Sequence, residues 1–395
     1  MEVIARNGDT LSYYSRLFMI PLQLLADSNQ QSAKDALKKG DCIHIPGFQA
    51  ETLQLKTGDA LWKIAGSRNI SVDCLLLLNQ NKNINELQTG DEMIAPKRIM
   101  ERLVNARKKY DSQSLQNDLE ILKENYPFIQ INTLGKSVLG NEIQEIRIGR
   151  GSKKVHMNGS FHANEWITSA ILMSYVNDFL LAITNGGKIN NIDTLPIYRN
   201  VDLSLVPMVN PDGVDLVLNG PPEHMRSKVI AINEGSTDFT GWKANINGVD
   251  LNNQFPAFWE IEKERKEPKT PAPRDYPGDA PLTEPEAVIM AQLANQEKFN
   301  RMIAFHTQGK EFYWGYENFE PSESALIANE FSRLSGYKAV QNVDSHAGYK
   351  DWFIQEFRQP GFTLELGKGI NPLPLSQFDD IYKDVLGIFV ASLYL

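Results

Sequence analysis

Apolar and polar positions follow one pattern twice over residues 1–97. A short strand-like segment, Val3–Ala5 and then Leu53–Leu55, leads into a Gly-Asp turn, Gly8-Asp9 and then Gly58-Asp59. A helix-length stretch follows and breaks at Met19-Ile20-Pro21 in the first copy and at Asn69-Ile70-Ser71 in the second. A second helix-length stretch ends at Asn29 or Asn79, and a short apolar segment (Ile43–Ile45, Met93–Ala95) closes each unit. Gly40-Asp41 recurs as Gly90-Asp91 and Pro46 as Pro96, always fifty residues on. Self-similarity at a fixed period marks one supersecondary unit made more than once. The pattern predicts strand–helix–helix–strand, at 1–48 and again at 49–97.

Residues 98–128 are charged and helical in pattern, and they open a domain predicted to run from 98 to 395. Strand-like and helical runs then alternate. "KKVHMNGSF" precedes a helix over Asn164–Thr184, and "VDLSLVPMVN" ends in a turn, Asn210-Pro211-Asp212-Gly213. "RMIAF" and "GFTLEL" are continuous apolar runs of the kind buried on both faces of a mixed or parallel sheet. The alternation predicts an α/β fold. Between Pro268 and Pro285 stand six of the chain's 20 prolines, which predicts a long surface loop.

Composition narrows the function classes. At 395 residues, with 42% hydrophobic and 23% charged positions, the chain is ordinary for a globular protein of two or three domains. A formal net charge of −9 argues against a nucleic-acid or anionic-membrane partner, since both favour basic surfaces. Two cysteines, Cys42 and Cys74, are too few for a disulfide scaffold. The N-terminus lacks the basic start and apolar segment of a secretory signal. No run approaches the ~18 apolar residues of a membrane span. The expectation is therefore no signal peptide and no transmembrane segment. Nothing in the pattern specifies an oligomeric state.

Candidate chemistry begins at "FHANEWITSA", where His162 stands three residues ahead of Glu165. Alone the pair is a weak signal. A third ligand should lie at the end of another strand, because ligands gather at the carboxyl ends of strands in open α/β sheets. His306 directly follows the apolar run Met302–Phe305. Glu365 lies between Leu364 and Leu366, and a carboxylate in a buried strand is costly unless paired or near a cation. A structural ion pair is the plain alternative for Glu365. Two histidines and a carboxylate leave an open position on zinc, which is the catalytic pattern. A further carboxylate that is not a ligand suits hydrolysis, where it takes a proton from the attacking water. His44 and His156 read as structural residues, while His224 and His346 lie in loops that can face a cleft.

The duplicated unit resembles the LysM module, which binds glycans containing N-acetylglucosamine. That resemblance implies glycan contacts around Gly8, Asp9, Thr10 and Asn29 and around Gly58, Asp59 and Asn79. Ser12 stands where the second copy has Trp62, so the copies need not bind equally. From about residue 105 onward, "HANEW", "NPDG", "GVDLNNQFP", "EPEA", "FHTQG" and "TLELG" occur in the order found in carboxypeptidase A-like zinc peptidases. The resemblance implies a central mixed, eight-stranded-type sheet flanked by helices. It also implies one zinc ion per chain on His162, Glu165 and His306, with Glu365 as general base and then proton donor to the leaving amine. Joined to LysM modules, this domain resembles the γ-D-glutamyl-L-diamino acid endopeptidases of endospore-forming bacteria. Peptidoglycan glycan and its stem peptides are then the expected partners, and a cytoplasmic or spore-associated location acting on the wall is expected.

Departures bear on specificity. Where true carboxypeptidases follow "GVDLN" with an arginine that clamps the terminal carboxylate, Asn253 follows Asn252. A neutral amide does not replace a bidentate guanidinium. Lys243 is the closest match to the oxyanion-stabilising arginine, with Arg226 as second candidate. Val343 falls at the expected place of the substrate-capping tyrosine, with Tyr349 nearby. Lys350 falls at the base of the specificity pocket. Asn252, Asn253, His346, Tyr349 and Lys350 are therefore the expected substrate contacts. A broader zinc carboxypeptidase, a peptidase acting on recycled muropeptides, and a non-catalytic peptidoglycan-binding protein stand as alternatives.

Overall fold

A computed structural model describes residues 1–32, 35–83 and 86–395. The chain divides into two units.

The first unit takes in Met1–Val104, Leu119–Gln130 and Asn177–Leu195. Its first repeat runs β1 (Glu2–Ile4), helices Leu11–Phe18 and Leu22–Ser28, then β2 (Cys42–His44), with Val3 opposite Ile43 in an antiparallel pair. The second runs β3 (Phe48–Gln54), helices Leu61–Ser67 and Val72–Leu78, then β4 (Glu92–Arg98), with Leu53 opposite Met93. The Gly-Asp turns form because Gly8 and Gly58 adopt φ of 86° and 83°, which cost glycine little. The aspartates close those turns: Asp9 Oδ2 accepts from Arg6 N at 3.0 Å and Asp59 Oδ2 from Lys56 N at 2.8 Å. Thr10 caps the first helix by accepting from Tyr13 N at 3.1 Å.

Asn29 and Asn79 have a structural role that departs from the expected glycan contact. Each donates to backbone carbonyls (Asn29 to Leu25 and His44, Asn79 to Leu75 and Ile94) and accepts from one backbone amide, of His44 or Ile94. The amide thus ties the second helix of each repeat to its last strand, and little hydrogen-bonding capacity is left for a sugar.

The charged stretch 98–128 is helical only over Ser112–Asn125. Arg98 instead completes β4, and the irregular chain after it is pinned where Leu103 N and Val104 N both donate to Asn177 Oδ1 at 3.0 Å. One helical segment, Ala163–Thr184, is long and apolar enough by length and composition alone to cross a membrane. Its apolar window is 83% buried inside the protein, as a core helix is. A two-residue hairpin follows it, β8 (Lys188–Ile189) and β9 (Ile192–Asp193).

The second unit takes in Asn105–Asp118, Ile131–Val176 and Pro196–Leu395. Its strands are β5 (Gln130–Lys136), β6 (Glu142–Gly149), β7 (Lys153–Gly159), β10 (Val201–Val206), β11 (Arg301–Thr307), β12 (Glu311–Tyr313), β13 (Lys338–Val340) and β14 (Gly361–Leu366). They form one eight-stranded mixed sheet in the order β13-β12-β14-β11-β7-β10-β6-β5. The central strands β14, β11, β7 and β10 are parallel, and β11 is buried at every position, which is why both long apolar runs read as strands. The Asn-Pro-Asp-Gly stretch is a helix start and not a turn. Asn210 caps the helix Pro211–Asn219 by accepting from Gly213 N at 3.0 Å, and Pro211 occupies the first turn, where no donor is needed. Gly213 cannot be larger, since a Cβ there would lie 2.6 Å from the Asn210 amide.

Candidate metal centre and active-site cleft

The three candidate ligands converge at the carboxyl ends of two parallel strands. After β7 the chain turns at Ser160, at φ 50°, held by a bond from its N–H to Thr168 Oγ1 at 2.8 Å. A single 3-10 turn, Ala163–Glu165, then places His162 and Glu165 side by side, while His306 comes from β11. Glu165 Oε1 lies 2.9 Å from His162 Nδ1, and Oε2 lies 3.0 Å from His306 Nδ1. The two imidazole nitrogens stand 3.2 Å apart. All three residues are buried, and Glu165 is steadied by Thr307 N and Asn371 Nδ2, each at 3.3 Å.

This donor set fits a divalent cation. His162 Nε2 faces Asp250 Oδ1 at 3.2 Å, so the ring donates there and Nδ1, on the side of Glu165, is the nitrogen left to serve a cation once its proton is lost. Two nitrogens crowded onto one carboxylate repel as imidazoliums and bind well as neutral ligands. Without a cation the cluster is electrostatically tense. Burial lowers the pKa of His162, but Glu165 and Asp250 outweigh it and lift the group to about 9. For His306 burial prevails and the pKa is lowered. Burial opposes ionisation of Glu165 and Asp250, yet the imidazoles, with Lys243 beside Asp250, hold both well below the usual carboxylate range.

Glu365 sits on β14 in register with His306. Its carboxylate makes no hydrogen bond or ion pair among the described residues, so the structural ion-pair alternative has no support. Burial, reinforced by Glu165, pushes its pKa well above the usual value, and His162 and Lys243 offset this only in part. It lines a cleft of about 210 Å³ together with His162, Lys243, Asp250, Asn252 and Asn253. Lys243 reaches to 3.8 Å from Asp250 Oδ2. Burial lowers its pKa, but Asp250 and Glu165 prevail and leave it raised, so it is a cation.

The structure sorts the remaining sequence candidates. Arg226 opens the helix Arg226–Ile232, is exposed, and does not line this cleft. Tyr349 is fully buried against Phe161, Phe255 and Trp352, so it is a core residue and not a mobile substrate cap. His346 faces Tyr316, its Nδ1 3.0 Å from that hydroxyl, and is not among the cleft-lining residues. Asn252 lines the cleft, but its Oδ1 accepts from Tyr349 N at 3.1 Å. Lys350 lines the cleft but is already engaged: it is 5% exposed, lies 2.6 Å from Asp351 Oδ1, and donates to Gly315 O at 2.8 Å. Sequence reasoning missed Asp250, although it stands inside the quoted "GVDLN". It also missed Lys266 and Asp275, which carry no motif.

A mixed sheet with His-Glu-His ligands at its strand ends and an unpaired carboxylate beside them defines a metallopeptidase, and comparison with known proteins agrees. The chain belongs to the zinc carboxypeptidase family, whose sequence profile matches residues 115–386, and is a zinc metallopeptidase with one zinc ion on His162, Glu165 and His306. Residues 54–96 match the LysM domain. Over 397 residues, and the full length of both chains, it is 52% identical to gamma-D-glutamyl-L-diamino acid endopeptidase 1 of Lysinibacillus sphaericus. It is 43% identical over 325 residues to the uncharacterized protein YqgT of Bacillus subtilis (strain 168), covering 80% of this chain and 86% of that one. Carboxypeptidase A from Helicoverpa armigera shares the fold, with a TM-score of 0.55 at 16% identity over 88% of this chain and 98% of the other.

Proposed function

We propose that this zinc peptidase cleaves the γ-D-glutamyl–diamino acid bond of peptidoglycan stem peptides, diaminopimelate being the diamino acid, while its LysM region holds the glycan. The observation that carries the reading is the full-length 52% identity to an endopeptidase of that name, joined to a complete His162–Glu165–His306 site with Glu365 beside it. Bound zinc supplies Lewis acidity and lowers the pKa of water towards ~7. Glu365, whose carboxylate has no partner among the described residues, takes the water's proton and later delivers it to the leaving amine. Lys243 directs an ammonium at the oxygen that gains charge during attack. Asp250 keeps His162 in the tautomer a ligand needs. Clamping a terminal carboxylate by a guanidinium is not available, because no arginine is among the residues that line the cleft.

In the LysM region the second copy has the better contact surface for a sugar. Trp62 is 67% exposed with the Lys63 ammonium 5.5 Å from its ring centroid, while the first copy has Ser12 at that place. Arg6 of the first copy is engaged by Asp73 of the second at 2.7 and 2.8 Å. Linked binding raises the local concentration of stem peptide for the peptidase. Digestion of purified peptidoglycan by zinc-loaded protein tests the proposal. Fragments beginning with a free diamino-acid amine, or the free diamino acid from stems that end there, support it; release of carboxy-terminal residues beyond the diamino acid alone overturns it.

A further inference from the structure

Three lysines, Lys243, Lys266 and Lys350, line the cleft, and they are not equivalent. Lys350 is answered within the protein by Asp351 at 2.6 Å and Gly315 O at 2.8 Å. Lys243 stands next to the zinc ligands and serves the scissile carbonyl. Lys266 follows the helix Trp259–Arg265, and its side chain is 26% exposed. Its Nζ lies 3.3 Å from Glu262 Oε1 and 3.6 Å from Asp275 Oδ1, yet it makes no hydrogen bond among the described residues. A half-buried ammonium held only by long ion pairs, on a residue that lines the cleft, suits an anionic ligand, since a short charge-assisted hydrogen bond is stronger than those pairs.

We propose that Lys266 is the specificity residue that reads a carboxylate of the substrate, a role the neutral Asn253 cannot fill. The proposal rests on the γ-D-glutamyl reading above. Such a substrate is rich in carboxylates. A γ-linked glutamyl residue keeps its α-carboxylate, the diamino acid has its own, and diaminopimelate adds one at the far end of its side chain. Removal of the Lys266 charge leaves the protein's acids paired, because Glu262 keeps Arg265 at 2.5 Å and Asp275 keeps Arg274 at 3.0 Å. Lys266→Met is therefore expected to fold.

The test is kcat/KM for wild type, Lys266→Met and Lys266→Arg on four soluble peptides. The parent is L-alanyl-γ-D-glutamyl-diaminopimelate. One analogue is amidated at the glutamyl α-carboxyl, one is amidated at the α-carboxyl of the diamino acid, and one carries lysine for diaminopimelate. Lys266→Met should lose about ten- to hundredfold on the parent, the worth of one charge-assisted contact. On one analogue, already slowed by a similar factor in the wild type, the substitution should cost nothing further, and that analogue identifies the carboxylate. Lys266→Arg should retain most of the preference. An equal loss on all four peptides, or no loss on the parent, overturns the proposal. Failure of the wild type to cut the parent at the γ-D-glutamyl bond removes its basis, and is seen before any variant is made.

Discussion

His162 Nε2 lies 3.2 Å from Asp250 Oδ1, and this contact determines which nitrogen of the ring is left for the metal. Asp250 is buried and cannot ionise cheaply on its own, yet His162 and Lys243 keep it a carboxylate. Replacing Asp250 with Ala should weaken zinc binding about 10- to 100-fold, as loss of a ligand-orienting partner generally does. Dissociation constants from competition with a chelator check this, and unchanged affinity would return Asp250 to a purely structural role.

Zinc uptake should depend on pH. In the metal-free protein His162 titrates at about 9, above the usual histidine value, so at pH 7 its ring is doubly protonated. A ligand must be neutral, and binding below pH 9 should therefore release a proton. Affinity should rise towards pH 9 by up to about tenfold per pH unit and flatten above it. Calorimetry in buffers of different ionisation enthalpy measures the proton directly. Uptake without proton release at pH 7 would contradict the assigned charge state.

Glu365→Gln should keep the zinc and lose turnover by about 10²–10⁴-fold, the usual worth of a general base. Metal analysis beside kcat separates this from His162→Ala and His306→Ala, which should lose the ion as well. Near-normal turnover by Glu365→Gln would falsify the role given to that carboxylate.

Cleft and core residues should separate in kinetics. Lys243→Met should lower kcat by about 10²–10³ with zinc retained, as removal of an oxyanion donor does. Arg226→Ala should change kcat/KM by less than about twofold, since surface substitutions seldom matter. Tyr349→Phe should leave kinetics intact, because its hydroxyl has no hydrogen-bond partner among the described residues, whereas Tyr349→Ala should cost about 3–5 kcal/mol of stability. A large rise in KM for Tyr349→Phe, with stability unchanged, would show that the hydroxyl meets substrate after all.

What the sequence displayed, and what it hid, follows from how each residue acts. The runs 301–305 and 361–366 were legible as strands because both faces of a central strand are buried. Glu365 stood out for the same reason, as the charged member of an otherwise largely apolar run. The fifty-residue repeat showed both helix pairs, but Asn29 and Asn79 bond their own backbone, which pattern alone does not distinguish from ligand contact. Tyr349 lay close to an expected capping position, and only the packing of Phe161, Phe255 and Trp352 around it showed it to be core. Lys266 was invisible, because it stands in "EIEKERKEPK", where charged residues mark a solvated segment. Tertiary folding brings that segment to the cleft.

Trp62→Ala should reduce binding to insoluble peptidoglycan and leave hydrolysis of small soluble peptides unchanged. The ring is exposed, so stability should move by no more than about 0.5 kcal/mol. Pull-down on purified sacculi, beside soluble-peptide kinetics, gives the ratio. An unchanged ratio would leave the repeat as a spacer.

The central claim is the bond that is cut, and paired synthetic peptides test it most directly. One carries D-glutamate joined to diaminopimelate through its γ-carboxyl, and the other is the α-linked isomer of the same mass. Zinc-loaded protein should hydrolyse the γ-linked peptide to free diaminopimelate, leave the α-linked isomer intact, and stop when Glu365 is replaced by Gln. Equal hydrolysis of both isomers, or no cleavage at the γ-D-glutamyl bond, would contradict it.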